Sequence, residues 1–126
     1  MLFAKCIPIS ANTLKASPLV TMIPICEGVI KRVWVRWRWG SGGLCGCRIL
    51  YGSFQVWPLS MTQWFVSNVQ DMAFDENMSI ADVPHEFRIE SYNDDDTFPH
   101  TLMVAFSILR QGFPMQPEDI MTMVSW

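Results

Sequence analysis

The sequence predicts an all-β fold, an antiparallel β-sandwich of jelly-roll type with apolar arms at both ends. Three observations predict it. Apolar and polar residues alternate with the two-residue period of a strand through the middle of the chain. Turn signals rich in Gly, Pro, Asn and Asp recur at the spacing of short strands, roughly every eight to twelve residues. Half of the 126 residues are hydrophobic and 17% are charged, which suits a single domain with a real core and excludes a disordered chain.

Residues 1–18 read as an arm. Pro8 and Pro18 interrupt helix, and Leu2, Phe3, Ile7 and Ile9 are too apolar for a solvated tail. The arm packs either along its own domain or on a neighbour. Leu19 to Ile25 reads as a strand, with Pro24 marking an edge or an end. After the Glu27-Gly28 turn, Val29 to Trp39 alternates most clearly. Val29, Val33, Val35, Trp37 and Trp39 share one parity, interrupted at Lys31, and are expected inward. Ile30, Arg32, Trp34, Arg36 and Arg38 share the other and are expected outward. Gly40-Ser41-Gly42-Gly43 supplies the positive φ of a reversal. Leu44 to Tyr51 returns, with Cys45, Cys47 and Ile49 on one face. Gly52-Ser53 turns again into Phe54 to Trp57, which Pro58 ends.

Met61 to Val66 fits a strand or one helical turn. Gln70 to Asp75 and Met78 to Val83 read as two short strands around Asp75-Glu76-Asn77, and Pro84 breaks the run. His85 to Tyr92 alternates, with Phe87 and Ile89 inward and Glu86, Arg88 and Glu90 outward. Asn93 to Asp96 is a loop. Thr101 to Leu109 is a strand with Leu102, Val104, Phe106 and Ile108 on one face. Pro117 with Glu118 and Asp119 is a helix-start signal, predicting one or two turns or an extended tail. The expected division is an arm over 1–18, a sandwich over 19–110 and a tail over 111–126.

Charge is uneven along the chain. Residues 1–63 carry seven bases and one acid; residues 64–126 carry two bases and eleven acids. Opposite-signed halves suit head-to-tail contacts between copies if they form separate faces. They cancel if the halves interleave, as in a sandwich. Six Trp, eight Phe and nine Met are material for a core or an interface. No apolar run reaches the ~18 residues of a membrane span, and the first residues lack a secretory pattern. Asn77-Met78-Ser79 fits the glycosylation triplet without other signs of secretion.

Signatures of catalysis are missing: no Gly-x-Ser-x-Gly, phosphate loop, His-Glu-x-x-His or dinucleotide fingerprint occurs. His85 and His100 each stand at a strand entrance, a surface or capping position. The four cysteines, Cys6, Cys26, Cys45 and Cys47, lack the spacing of a zinc site. Cys45 and Cys47 point to the same face and do not readily bridge each other. Buried free thiols are expected, and pairing with distant partners stays open. Asp94, Asp95 and Asp96 form a candidate calcium loop, without the alternating ligand spacing of an EF-hand. Arg32, Trp34, Arg36 and Arg38 form a basic aromatic strip, the candidate partner-binding site. Its candidate partners are an acidic protein surface, another copy of the chain, an anionic glycan or nucleic acid. The acidic net charge of −3 argues against the last. Trp57, Trp64 and Tyr51 are candidates for a sugar-stacking platform.

Gly28-Val29-Ile30, Gly43-Leu44-Cys45-Gly46, Phe54-Gln55-Val56-Trp57-Pro58, and Tyr92-Asn93-Asp94-Asp95-Asp96 with His100-Thr101 form a recognisable pattern. Across residues 19–110 the chain resembles small uncharacterised β-sandwich proteins of phage and environmental origin, often structural components of virions. The resemblance implies an all-β structural subunit and carries over no functional residue. The expectation is a non-enzymatic assembly subunit of a virion or other extracellular particle or filament, with no cofactor and no membrane. The alternative is a carbohydrate-binding module, with or without calcium.

Overall fold

The computed structural model describes residues 1–38, 40–58, 63–68, 71–81 and 85–110. Among them run nine strands and no helix: β1 Leu2–Ile9, β2 Leu19–Pro24, β3 Gly28–Trp37, β4 Cys45–Tyr51, β5 Phe54–Trp57, β6 Phe65–Val66, β7 Asp71–Ile80, β8 Glu86–Asn93 and β9 His100–Leu109. They form two antiparallel sheets. The first has the order β1-β9-β3-β7; the second has the order β2-β8-β4-β5, with β6 also beside β4. The pairs β1·β9, β2·β8, β3·β7 and β4·β5 nest one inside the next. This is the topology of one long antiparallel ribbon rolled onto itself, a jelly roll.

Alternation puts the inner faces together. Val33, Val35 and Trp37 from β3 and Leu102, Val104, Phe106 and Ile108 from β9 face Cys45, Cys47, Ile49, Phe87 and Ile89 of the second sheet. Phe87 and Phe106 meet between the sheets with ring centroids 4.6 Å apart, and Trp57 packs against both. Fully burying one such side chain is worth about 1.5–3 kcal/mol, so this aromatic trio is a major part of what clamps the layers.

Three expectations are corrected. Residues 2–9, expected in an arm, are an edge strand: β1 pairs along its whole length with β9, from Leu2↔Ser107 to Ile9↔His100. Ile7 and Ile9 are buried in the chain's own core, so the apolar character of this segment is satisfied within the same globule. On β3 the inward set changes phase. Pairing shifts between Ile30 and Arg32 on both neighbours, so Lys31 sits in a β-bulge and Ile30, expected outward, is fully buried. The acidic stretch 75–77, expected as a turn, lies inside one continuous strand, β7. Its residues are held there by β3, where Arg32 opposes Asp75, and by a hydrogen bond from Lys31 Nζ to Asn77 Oδ1 (2.8 Å). The readings that fall on Trp39, on residues 59–62, 69–70 and 82–84, and on the tail 111–126 lie outside the described residues.

The sheet edges are guarded. β1 carries Pro8 and an exposed Lys5 of the same parity as Ile7, and β2 ends in Pro24. β7 presents the exposed Asp71 and Asp75, while β5 and β6 are only four and two residues long. Missing backbone donors, charges and short strands all discourage strand addition by a second chain.

Candidate functional site

The strip on β3 forms as its parity requires, on the outer face of the first sheet. Its chemistry is largely spent within the chain. Arg32 Nη1 bonds Asp75 Oδ1 at 2.6 Å and Arg36 Nε bonds Asp71 Oδ1 at 2.8 Å. Both acids come from the neighbouring β7, so the opposite-signed halves of the sequence interleave and neutralise each other. Such exposed pairs contribute only ~0–1 kcal/mol each; their consequence here is to cancel the strip's charge. Trp34 pairs across to Ala73 on one side and Ala105 on the other. The alanines leave room beside the indole, and the Arg32 guanidinium lies 5.6 Å from its ring centre. Trp34 is thereby only 4% exposed. The backbone N–H of Arg38 donates to Thr101 O (3.1 Å). Arg32, Trp34 and Arg36 are therefore engaged within the chain, while Arg38, just past the end of β3, is exposed.

The sugar platform does not form as a unit. Trp57 is in the core, its Nε1–H donating to Glu76 Oε2 at 2.7 Å, and Tyr51 packs edge-on against Phe87. Trp64 alone of the three lies on the outer face of the second sheet. There it meets Tyr92 edge-on (5.1 Å), with the Arg48 guanidinium 4.4 Å from its ring centre. Lys15 Nζ sits 4.8 Å from the Tyr92 ring centre. Beneath them Glu90 is gripped by two arginines, Arg48 Nη2 at 2.6 Å and Arg88 Nη2 at 2.9 Å. Gly46 makes this cluster possible. It pairs with Tyr92 across the strands, and a Cβ there would stand 2.4 Å from Tyr92 Cε1. Burial holds the Tyr92 hydroxyl above the usual phenol range, with Asp94 adding to the effect.

Loops 10–18, 40–44 and 94–99 meet at one end of the sandwich around Asn93, a residue that sequence reasoning placed in a loop without a role. Asn93 is fully buried and uses both ends of its amide. Oδ1 accepts from Asp95 N (2.9 Å) and Cys45 Sγ (3.2 Å). Nδ2 donates to Ile9 O (3.2 Å) and Phe98 O (3.0 Å). Its backbone N donates to Thr13 O, while Asp94 N donates to Leu44 O and Asn12 N to Asp95 O. The Asp94–Asp96 segment is organised by local bonds. Asp95 Oδ1 accepts from Thr97 N and Phe98 N, and Oδ2 lies 2.8 Å from His100 Nε2. The His100 contact, then the Thr97 amide, hold the Asp95 carboxyl below its ordinary range. Among the described residues no three His, Cys, Asp or Glu side chains gather as metal ligands.

All four cysteines are free thiols. Burial pushes Cys45 up to about 12, with Asp95 and Asp94 adding to it, and raises Cys47 as well. Both are packing residues at neutral pH. The signal for the Asn93 hub was present only as an Asn at a strand end, a residue type suited to bonding nearby backbone. Comparisons with protein-family models, with curated proteins and with solved structures return no match for this chain.

Proposed function

We propose that this chain is a non-enzymatic structural subunit of a multi-copy assembly, a virion component such as a capsid, decoration or tail protein, or the unit of a filament. The observation that carries the reading is the jelly-roll strand order, an architecture used for particle shells and for lectins; the link is one of fold analogy. The conduct of the polar groups supports it. Asp95, His100, Asn93, Cys45 and the Arg48–Glu90–Arg88 set are bonded to one another or to backbone in a way that stiffens the globule. Large apolar side chains meanwhile stand exposed on loops. The partners are copies of the chain or other proteins of the particle. A glycan-binding reading keeps Trp64 but loses Trp57 to the core and has Tyr51 half-buried against Phe87, and the Trp64 ring is already engaged by Arg48.

Light scattering on the full chain, followed by negative-stain imaging, tests the proposal. A discrete oligomer or regular particle is expected. A monomer at every concentration tried, together with retention on a polysaccharide column, would reverse the order of the two readings.

A further inference from the structure

Three of the largest exposed apolar side chains sit on different loops yet at the same end of the sandwich. Leu14 is 59% exposed, Leu44 40% and Phe98 63%. Hydrogen bonds place them together: Thr13, next to Leu14, accepts from Asn93 N; Leu44 O accepts from Asp94 N; Phe98 O accepts from the Asn93 side chain. The patch is therefore held on a buried hub, with its backbone already ordered, and ordering costs on binding are small.

The charges around this patch are of both signs, and those of Lys15, Asp94 and Asp96 are not spent in ion pairs among the described residues. Among the described residues no carboxylate lies within ion-pair distance of Lys15, whose ammonium rests over Tyr92 and Trp64. Asp94 and Asp96 likewise have no basic partner there; Asp96 accepts only the Thr97 hydroxyl. Elsewhere the bases Arg32, Arg36, Arg48 and Arg88 all meet acids of the same chain. An apolar centre flanked by a cation that lacks a carboxylate partner and by carboxylates that lack a basic one can complement itself under a two-fold rotation, the condition for an isologous contact. Pairing through sheet edges is discouraged by Pro8, Lys5, Pro24, Asp71 and Asp75.

We infer that this loop end is a docking surface for the same end of a second copy, with Leu14, Leu44 and Phe98 packing at the centre and Lys15 of each copy facing Asp96 of the other. The inference rests on the assembly reading and specifies which surface begins it.

The test is sedimentation velocity on the full chain from ~1 to ~200 µM, a range that spans weak to moderate affinities. Wild type should self-associate. Phe98→Ser and Lys15→Glu should each weaken association about tenfold or more. Lys15→Glu combined with Asp96→Lys should recover most of it, and Met22→Ser, an exposed apolar change on β2, should leave it unaltered. Hydrogen exchange on wild type at both ends of the range is the second measurement. Protection confined to residues 12–15, 43–45 and 94–98 at high concentration is expected and needs no variant. If wild type associates but Phe98→Ser and Lys15→Glu associate equally tightly, the inference falls while the assembly reading stands. If the charge swap fails to recover association, the two-fold pairing is wrong. A wild-type chain that stays monomeric throughout overturns the inference and the reading beneath it.

Discussion

Replacing Asn93 by Ala removes the side-chain link that joins the 94–99 loop to the end of β1 and the start of β4. The amide makes three bonds to backbone groups, Asp95 N, Ile9 O and Phe98 O, and one to the Cys45 thiol. Each backbone bond has a net value of about 1 kcal/mol, and a partner left buried and unpaired raises the loss. The Ile9 carbonyl is such a partner, because the Asn93 side chain meets it in a buried setting. A loss of about 3–4 kcal/mol follows. For 126 residues at roughly 2.1 cal/mol/K per residue, the unfolding entropy is about 0.26 kcal/mol/K. Asn93→Ala should then lower Tm by about 11–15 °C in a scanning-calorimetry or circular-dichroism melt. Asn93→Asp separates shape from chemistry. It keeps the acceptors, loses the Nδ2 donor and places a carboxyl in a buried site beside Asp94 and Asp95. Burial and like charge raise that carboxyl's affinity for a proton, so the variant should be worse at pH 7 than at pH 4. A fall in Tm below about 4 °C for Asn93→Ala, roughly 1 kcal/mol, would refute the hub: water or a shifted loop would be replacing the amide.

Three further outcomes are expected. Gly46→Ala should destabilise by about 1–3 kcal/mol, the usual cost of overpacking, because its Cβ would collide with the Tyr92 ring. In a Tyr92→Ala background most of that cost should vanish, which a double-mutant cycle in urea would measure. Asp95 has its pKa lowered below the ordinary 3.8 by His100 and the Thr97 amide. Its contribution is therefore present above that ordinary value and is lost as pH falls through the folded one. The Tm difference between wild type and Asp95→Asn should shrink as pH drops from about 5 to about 3; a constant difference would show that the charge does nothing. With Cys6 exposed, Cys26 half-buried and Cys45 and Cys47 buried, a thiol reagent at pH 8 should modify two cysteines in the native protein and four after denaturation. Early reaction of Cys45 or Cys47, read by peptide mass mapping, would contradict the packing described.

Local rules account for much of this architecture. The alternation of Leu102, Val104, Phe106 and Ile108 identifies a strand and its inner face without any partner, since side chains on a pleated strand change sides at every residue. The same rule reads Phe87 and Ile89 correctly, and the glycines at 40, 42 and 43 mark a reversal through the positive φ they adopt. The rule fails at Lys31, because a bulge is defined by what lies opposite: Ile30 and Arg32 pair with adjacent residues of β9, Ile108 and Ser107. It fails for residues 75–77 for a related reason. Asp, Glu and Asn favour turns in isolation, and only the cross-strand Arg32 and Lys31 make an extended path better.

The candidate sites show the same division. Parity along one strand set Arg32, Trp34, Arg36 and Arg38 on a common outer face, and the chain alone was enough for that. Whether the face is open depended on Asp71 and Asp75, some forty residues away, and on alanines that happen to flank Trp34 in the register of two other strands. The Asn93 hub joins positions 84 residues apart. Backbone geometry is a local property and is written locally; pairing, burial and the leftover charges at the loop end exist only once the ribbon has rolled up and each strand has met neighbours from distant parts of the chain.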